Sequence, residues 1–339
     1  MKYWSFADDF GLENLVLKTG DMPKPGPRDV LLEMQAASLN YRDLVVMRGQ
    51  HGKNIRPPLI PLSDGVGVVI ETGPDVTGFE PGDRVSPAFY QHWHGGPPPL
   101  DLEAGRLGGP LDGVLATHRV FSAESLVSVP AQLSATEAAT LPCAGVTAWS
   151  ALSEPVPVRP GETVLILGSG GVALLALSLA KASGARTIMT TSSAERAENL
   201  RSLGADLVID RSTTDNWARE VRNATGGEGC DRVLELGGAA TLASSIKAVR
   251  NGGIIILIGN VTGNNADLFL PLLLTRKLTL QSVSVGSISG FCALNRALAL
   301  HEIKPVIART IPFVSAPDAF IALEAQEGFG NICIDSFQA

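Results

Sequence analysis

The stretch VLILGSGGVALLALSLAKASGA, residues 164–185, constrains the fold of this chain more than any other segment. Branched apolar residues run into a glycine cluster and then continue at helical spacing, which predicts a buried strand, a tight turn and a helix. Small residues let a backbone approach a pyrophosphate, and the first turn of a helix offers it free N–H groups. We therefore predict that this turn binds a dinucleotide through Gly168, Gly170, Gly171 and Val172.

A regular alternation of strands and helices surrounds this turn. The pattern predicts strands at 163–167, 187–191, 206–209, 231–235 and 253–258. Helices are predicted between them, at 171–183, 194–203, 215–224 and 241–248. Strands that alternate with short helices form βαβ units, so this region should be a doubly wound parallel sheet, with the apolar run GGIIILIG as a central buried strand.

The segments on either side of this region do not show the alternation of strands and helices. The first ~125 residues mix short strands with turns, and residues 90–112, rich in glycine and proline, predict a long surface loop. Residues 134–152 predict one helix that begins at a capping box of Ser134 and Glu137. The fold class expected from these patterns is α/β, with a β-rich domain beside a doubly wound parallel-sheet domain.

The bulk composition limits the partners. The formal net charge is -7, from 34 acidic and 27 basic residues, and the chain has no dense run of Lys and Arg, so nucleic acid is not an expected partner. No apolar run approaches the roughly 20 residues that cross a bilayer, and the first ten residues do not resemble a secretion signal. Four scattered cysteines suit a reducing compartment. We therefore expect a cytoplasmic protein that acts on a small molecule, with no membrane partner.

The end of the second predicted strand indicates which dinucleotide to expect. NAD sites usually carry an Asp or Glu there, which binds the ribose hydroxyls. This chain has no acid at that place and offers instead Thr191, Ser192 and Ser193, followed by Arg196. Hydroxyls beside a guanidinium suit a 2′-phosphate, so we expect NADPH in preference to NADH. The alternative is that Arg196 is a solvated helix residue.

Further motifs follow one another along the chain: SLNYRDL, GDRV, AATLPCAGVTAW, the glycine-rich turn, and VGS followed by NRAL. With them the chain resembles, over nearly its whole length, the medium-chain dehydrogenase/reductases, and among these the zinc-free quinone oxidoreductase and alcohol-dehydrogenase-like members. The resemblance implies a GroES-like catalytic domain formed by residues 1–125 and 276–339. It also implies a Rossmann domain at residues 126–275 and an active site in a cleft.

The resemblance bears on metal binding as well. Zinc-dependent members hold the catalytic ion with a Cys, a His in a Gly-His-Glu run, and a second Cys. The matching positions here are Asn40, the Leu-Ser-Asp run at 62–64, and Cys143, so one thiol remains where three protein ligands are needed. The family's structural zinc lobe needs four close cysteines, and residues 86–120 contain none. We therefore expect no zinc.

Without a metal to polarise a carbonyl, hydride delivery to an enone, an enoyl group or a quinone becomes the expected reaction. Charge then collects on an oxygen, which hydrogen-bond donors stabilise. Asn40 is the first candidate donor, because it replaces a zinc ligand; the alternative is a structural amide. His51 stands where relatives carry a Tyr, and it could donate a hydrogen bond or a proton, or be a surface histidine. Asp43, which could also tie down its loop, and Ser63 are further catalytic candidates.

Other cofactor contacts are implied by position in the family pattern. One residue matches a Thr that faces the nicotinamide side, two follow the fifth strand, and three match the segment that meets the carboxamide. The last stands where relatives have a Lys that helps to hold the cofactor. These residues are Thr147, Gly259, Asn260, Val285, Gly286, Ser287 and Asn331.

Three functions remain open from the sequence. The leading one is a zinc-independent, NADPH-dependent reductase of conjugated carbonyls or quinones. The second is a zinc-free dehydrogenase of an alcohol or ketone, and the third is a sensor that binds NADPH without turnover. Family members are often dimers joined through an edge strand of the dinucleotide sheet, and the apolar runs GGIIILIG and LFLPLLL lie near that edge. We therefore expect a homodimer.

Overall fold

A computed structural model describes residues 1–52, 54–214 and 216–338 of the chain. Its strands are β1 (Lys2–Phe6), β2 (Leu15–Thr19), β3 (Asp29–Ser38), β4 (Asp64–Thr72), β5 (Arg84–Pro87), β6 (His118–Ser122), β7 (Leu126–Ser128), β8 (Thr163–Leu167), β9 (Arg186–Thr191), β10 (Leu207–Asp210), β11 (Cys230–Glu235), β12 (Val249–Leu257), β13 (Thr279–Ser282), β14 (Ile307–Pro312) and β15 (Asn331–Asp335). Its α-helices are α1 (Tyr41–Met47), α2 (Ala135–Ala139), α3 (Val146–Ser153), α4 (Gly171–Ala182), α5 (Ala194–Ser202), α6 (Trp217–Ala224), α7 (Ala239–Ala248), α8 (Leu270–Thr275), α9 (Ile288–His301) and α10 (Ala316–Glu324).

The chain forms two compact units. The first, which we call the catalytic unit, contains Met1–Val146 and the residues from Val285 onward. Its main sheet has the strand order β14-β15-β3-β4-β5-β7, with β6 also paired with β3, while β1 and β2 form a separate antiparallel pair. The long strand β3 buries Leu32 and Met34 in a core that also contains Phe6 and Phe320. Burial of these side chains fixes the register of the strand.

The second unit, which we call the dinucleotide unit, contains Thr147–Ser284. Its sheet has the order β10-β9-β8-β11-β12-β13, and all of its strands are parallel. The chain order therefore reverses between β8 and β11, and sheets of this order bind dinucleotides at that switch point, beyond the carboxyl ends of the strands. The predicted fold class, α/β with a β-rich unit and a doubly wound parallel sheet, is confirmed.

The single helix predicted at residues 134–152 was wrong, although its capping box is present. Ser134 Oγ accepts from the Glu137 N–H at 3.2 Å, and Glu137 Oε2 accepts from the Ser134 N–H at 2.7 Å. Beyond α2, however, residues Leu141–Gly145 form a π-helical turn before α3 begins. Pro142 has no N–H to continue the α-helical ladder, so the break has a covalent cause.

The prediction of a long surface loop at residues 90–112 is correct in part. The segment has no α-helix or named strand, only a 3₁₀ turn at Leu102–Gly105, and most of residues 92–104 are exposed. Its two ends are buried, however: Tyr90 pairs with Arg106 in an isolated bridge, and Tyr90, Arg106 and Leu107 are all buried. The glycines and prolines indicated an irregular surface segment, and the burial of its ends in the catalytic unit was missed.

The structure places the unit boundaries later than the sequence does. The first falls between Val146 and Thr147 rather than at 125, because α2 packs against β3, β4 and β15 of the catalytic unit. The second falls after Ser284 rather than at 275, because β13 adds to the parallel sheet. Helix α6 begins at Trp217, and the predicted start at Asp215 lies outside the described residues. No helix among the described residues has the length and apolar character needed to span a membrane.

Candidate functional site

The glycine turn of the dinucleotide unit joins β8 to α4 as predicted. Gly168 has φ +84°, a conformation that favours glycine, and its N–H donates to the Thr190 carbonyl at 2.9 Å. Gly170 is the N-cap of α4, and Gly171 and Val172 open the helix. A Cβ added at Gly168 or Gly170 would meet no described atom within 4 Å. The turn therefore leaves open space in which a pyrophosphate could approach the backbone N–H groups.

The hydroxyl-bearing turn after β9 is built partly by its own side chains. Ser193 is the N-cap of α5, and its Oγ accepts from the Arg196 N–H at 3.3 Å. Thr191 Oγ1 accepts from the Ser193 N–H at 3.3 Å, while Ser192 is exposed. Both bonded hydroxyls act as acceptors here, so each keeps its own O–H free to donate to a ligand.

A second arginine lies at this turn and was missed from the sequence. Arg211 follows β10 directly, and its N–H donates to the Thr191 carbonyl at 2.7 Å. Its Nε is buried and has no hydrogen-bond partner among the described residues. The parallel pairing of β9 and β10 brings Arg211 beside Thr191, a proximity that strand order alone decides.

Glu235, the buried last residue of β11, holds the loop after β11 with its carboxylate and the loop after β12 with its backbone carbonyl, which accepts from the Gly259 N–H at 3.1 Å. Its Oε1 accepts from the Gly237 and Gly238 N–H groups at 2.9 and 3.0 Å and from the Thr241 hydroxyl at 2.5 Å. A Cβ at Gly259 would overlap the Leu236 carbonyl, so only glycine fits there. Asn260 follows and is exposed, with Nδ2 donating to Asn264 Oδ1 at 2.6 Å. Glu235, which sequence reasoning missed, thus shapes the backbone at the two predicted contacts.

The predicted catalytic residues Asn40 and Asp43 lie at the start of α1 in the catalytic unit. Asp43 is buried; its Oδ2 accepts from the Asn40 N–H at 2.7 Å, and its Oδ1 accepts from Arg42 Nη1 at 3.0 Å. Burial raises the pKa of Asp43, and the neighbouring Arg42 charge opposes that shift. Both carboxylate oxygens are therefore engaged in positioning Asn40 and Arg42. The Nδ2 of Asn40 is also buried, and it lies close enough to the Asp64 carboxyl to lower the pKa of that group.

A buried hydroxyl and a buried carboxyl, those of Ser63 and Asp64, form a hydrogen-bonded pair at the start of β4. Ser63 Oγ donates to Asp64 Oδ1 at 2.6 Å, and the Cys143 N–H donates to Asp64 Oδ2 at 3.0 Å. Burial raises the pKa of Asp64 to about 7; the Ser63 hydroxyl and the nearby Asn40 amide oppose the shift, and the Asp43 charge adds to it. A carboxyl that exchanges its proton near neutral pH is a candidate acid or base. Sequence analysis noted Asp64 only as part of the Leu-Ser-Asp run at 62–64 and assigned it no catalytic role.

The backbone just before Ser63 is strained. Leu62 is buried and has φ +69°, in the left-handed region that a side chain disfavours. Glycines pack around it: a Cβ at Gly108 would lie 2.7 Å from the Leu62 carbonyl carbon, and one at Gly113 would overlap the Leu62 oxygen. Strain of this kind persists only where the surroundings enforce it, and it clusters at functional sites.

His51 is half-buried and lies beside the buried guanidinium of Arg106. Arg106 Nη2 contacts His51 Nδ1 at 3.2 Å. Because a guanidinium can only donate, Nδ1 accepts and the ring proton of a neutral His51 lies on Nε2. Burial and the Arg106 charge lower the pKa of His51. Of the two predicted roles, the structure thus favours donation of a hydrogen bond from Nε2–H over donation of a proton by an imidazolium.

The remaining predicted cofactor residues are spread over both units. Val285 is buried with φ +57°, unusual for a β-branched residue, and Gly286 follows it. Ser287 caps α9, with Oγ accepting from the Gly290 N–H at 3.2 Å. Thr147 is buried in α3. Asn331 is buried in β15, where its Nδ2 donates to the Val306 carbonyl at 3.1 Å.

The donor set does not fit a catalytic zinc ion. Asn40 and Ser63 present an amide and a hydroxyl, whereas protein ligands of zinc are Cys, His, Asp and Glu. Both oxygens of Asp64 already accept hydrogen bonds from Ser63 and Cys143. Within the described residues, no three His, Cys, Asp or Glu side chains are grouped to hold a metal ion. The groups that these residues offer are hydrogen-bond donors and the Asp64 carboxyl, whose pKa burial raises to about 7.

Comparison with known proteins agrees with the geometry. The family model for the alcohol dehydrogenase GroES-like domain matches residues 26–131, and the model for zinc-binding dehydrogenases matches residues 171–300. The chain is 37% identical to a zinc-type alcohol dehydrogenase-like protein of Schizosaccharomyces pombe, over 98% of this chain and 99% of the relative. It is 28% identical to an acryloyl-coenzyme A reductase of Sulfurisphaera tokodaii, over 92% and 93% of the two chains. A solved structure from Sinorhizobium meliloti, named an alcohol dehydrogenase, superposes with a TM-score of 0.92 at 38% identity, covering 99% of each chain.

Proposed function

Because the chain belongs to the medium-chain dehydrogenase/reductase family of oxidoreductases, we propose that it is a zinc-independent, NADPH-dependent reductase of a conjugated carbonyl compound or a quinone. The observation that carries the proposal is the buried Nδ2 of Asn40, a hydrogen-bond donor next to the Asp64 carboxyl, at a position where zinc-dependent members have a metal ligand. A hydrogen-bond donor at that position suits an acceptor whose oxygen gains charge during the reaction. The reductase name of one relative supports this choice.

The residues of the catalytic unit would serve the two halves of the reaction. The nicotinamide, when bound, supplies the hydride. Asn40 Nδ2 donates to the oxygen on which negative charge develops, and Asp43 fixes the Asn40 backbone. Asp64 holds a proton up to about pH 7, and the Ser63 hydroxyl lies 2.6 Å from it. The Ser63–Asp64 pair is therefore the proposed proton source for the second half.

The preference for NADPH is supported by the turn after β9. It has the hydroxyls of Thr191, Ser192 and Ser193 and no carboxylate, with Arg196 in the first turn of α5. Arg211 adds a second guanidinium next to Thr191. Together these groups suit a 2′-phosphate, which carries negative charge and accepts hydrogen bonds.

The test is a pair of assays on the purified chain. Fluorescence titration with NADPH and NADH measures the two dissociation constants, and a panel of quinones, enones, aldehydes and alcohols measures turnover. We expect tighter binding of NADPH and turnover only on quinones or conjugated double bonds. Turnover confined to alcohols and simple ketones would instead favour a zinc-free alcohol dehydrogenase. Tight NADPH binding with no turnover would favour a sensor.

A second copy of the chain is the partner that we propose for the dinucleotide unit. Within the described residues, β13 pairs with β12 on one side only and forms the edge of the parallel sheet. In the segment that leads into β13, Phe269, Leu270 and Leu274 are 72%, 60% and 75% exposed. An open strand edge and exposed apolar side chains shortly before it in the chain favour association, so a homodimer through this edge is the proposed assembly.

A further inference from the structure

Two largely buried guanidinium groups, those of Arg106 and Arg42, converge in the catalytic unit, and sequence analysis assigned a role to neither. Arg106 Nε donates to the Gly109 carbonyl at 2.8 Å, and Arg42 Nη2 donates to the same oxygen at 3.4 Å and to the Gly108 carbonyl at 3.1 Å. Their side chains are 10% and 12% exposed. Arg42 also lies over the Phe89 ring, 5.1 Å from its centroid. Two like charges are therefore held close together away from bulk water.

Their counter-charges are unequal. Arg42 is paired with Asp43, whose side chain is 1% exposed, so this ion pair is buried and neutral. Arg106 is paired with Glu103, whose side chain is 65% exposed and surrounded by water. Water screens such a partner strongly, so it compensates a buried cation poorly. In the described part of the chain, Arg106 thus lacks a buried anion.

The donors of Arg106 point to the same conclusion. One of its nitrogens is bonded to His51 Nδ1, and the Arg106 charge helps to keep that ring neutral. A buried cation next to a neutral imidazole gains stability when an anion arrives, because the anion supplies the missing charge. Arg106 and the Nε2–H of His51 together offer a cationic donor and a neutral donor, and a carboxylate has two oxygens to accept from them.

We propose that the acceptor reduced by this protein bears a carboxylate conjugated to its double bond, and that Arg106 and His51 bind this carboxylate. The inference rests on the proposed function and names its substrate class, short α,β-unsaturated acids. Hydride adds to the β carbon and forms a C–H bond. The electron pair of the C=C bond moves onto the carboxylate oxygens as an enediolate, and a proton then adds to the α carbon to give the saturated acid.

This chemistry explains why a cation is needed. Hydride addition to an unsaturated acid places a second negative charge on a carboxylate that already has one. A neutral enone develops only one such charge, for which the Asn40 amide is a sufficient donor. A fixed guanidinium that lacks a buried counter-ion stabilises the doubly charged state most, because it needs no reorganisation at the moment of reaction.

The test compares acrylate with acrylamide, a neutral compound of nearly the same shape, and with methyl vinyl ketone. Steady-state oxidation of NADPH gives kcat/KM for each with the purified chain. We expect acrylate to be preferred over acrylamide by at least about tenfold, as for a hydrogen bond to a charged group. Equal kcat/KM values for acrylate and acrylamide, or turnover of the ketone alone, would overturn the anion site while leaving the proposed reductase intact.

Variants then assign the preference to Arg106. Arg106→Gln should lower the acrylate-to-acrylamide ratio by at least about tenfold. The matched control is Arg84→Gln, which removes another guanidinium of the catalytic unit that donates to a backbone carbonyl, that of Leu133. Arg84→Gln should leave the ratio unchanged. An unchanged ratio in Arg106→Gln would overturn the assignment.

A binding measurement covers the cases in which Arg106→Gln does not fold or no acceptor is turned over. Calorimetric titration of the NADPH complex of the parent chain with propionate and propionamide compares the saturated acid with its neutral amide. Tighter binding of propionate, lost in His51→Leu, supports the anion site even if the proposed reduction fails. Equal binding of the two compounds contradicts the anion site.

Discussion

The backbone N–H of Cys143 donates a hydrogen bond to Asp64 Oδ2 at 3.0 Å, across 79 positions of sequence. Cys143 lies in the π-helical turn that follows α2, and Asp64 begins β4. The donor is the backbone of the residue whose thiol is retained at a zinc-ligand position of the family, and the acceptor is a carboxyl whose pKa burial raises to about 7. This hydrogen bond stabilises the ionised carboxyl, so it opposes the rise in pKa and helps to set the pH at which Asp64 releases its proton.

The pKa of Asp64 predicts how stability depends on pH. Its value in the folded protein, about 7, is above the ordinary 3.8, so the native state keeps a proton that the unfolded chain has lost. The free energy of unfolding should therefore fall as the pH rises towards 7. Asp64→Asn cannot ionise and should gain about 3 kcal/mol on the parent between pH 5 and pH 8. Urea titrations at the two pH values measure this, and a constant difference between the proteins would contradict it.

We expect the replacement of Asn40 to lower turnover and to leave the binding of NADPH unchanged. Asn40→Ala removes the proposed donor to the developing oxyanion, so kcat should fall by about 10²-fold to 10³-fold, with the dissociation constant of NADPH unchanged. Steady-state kinetics and fluorescence titration measure the two quantities. Asn14→Ala is the control, since the Asn14 amide donates to the Phe10 carbonyl elsewhere in the catalytic unit. A rise in KM with an unchanged kcat would contradict a transition-state role.

The turn after β9 predicts a change in cofactor preference. Arg196→Glu should weaken NADPH far more than NADH, and Arg211→Gln should change the ratio in the same direction by a smaller factor. Each tenfold change corresponds to about 1.4 kcal/mol. Paired fluorescence titrations measure the ratio, with Arg201→Gln as a control from the same helix, where Arg201 pairs with Glu198. If the variants weakened the binding of NADPH and NADH equally, neither arginine would contact the 2′-phosphate.

Substitutions in the glycine turn should affect dinucleotide affinity and the free energy of unfolding to different extents. Gly170 has φ -85°, and a Cβ there meets no described atom within 4 Å, so Gly170→Ala should change the free energy of unfolding by less than about 0.5 kcal/mol. It should still weaken both dinucleotides, because the methyl group occupies the open space above the turn. Gly168→Ala, at φ +84°, should in addition destabilise the fold by about 1 kcal/mol. Thermal unfolding and titration separate the effects, and unchanged affinity in Gly170→Ala would place the pyrophosphate elsewhere.

If the chain forms the proposed dimer, a charge introduced near the β13 edge should lower its mass in solution from that of a dimer to that of a monomer. The parent chain should have twice the mass of 35.5 kDa in light scattering at micromolar concentration. Leu274→Glu should give a monomer, because it places a charge in the proposed apolar contact beside β13. Leu300→Glu is the control, an exposed leucine of α9 in the other unit. A parent monomer, or a dimer that survives Leu274→Glu, would contradict this interface.

Local patterns predicted the dinucleotide unit well. Strand β8 spans the predicted residues, and α4 begins at the predicted Gly171, because a strand, a glycine turn and a helix are adjacent in sequence. Asn40 was named from its position in a family motif, and its catalytic role stays a prediction. The local patterns failed at residues 134–152, where the effect of Pro142 on the helix outweighed an apolar pattern. At residues 90–112 composition indicated an irregular surface segment but not the burial of residues 90–91 and 105–109.

The sequence by itself determined the fold class, the glycine turn and the identity of the side chains at the zinc-ligand positions, because periodicity and motif spacing are local properties. Only the tertiary structure decided that Asp64 meets Cys143, that Arg211 lies beside Thr191, and that Arg106 binds a neutral His51. Those contacts join residues that are distant in the chain. Burial and neighbouring charges set the protonation states of these groups, and both arise only when each unit has folded.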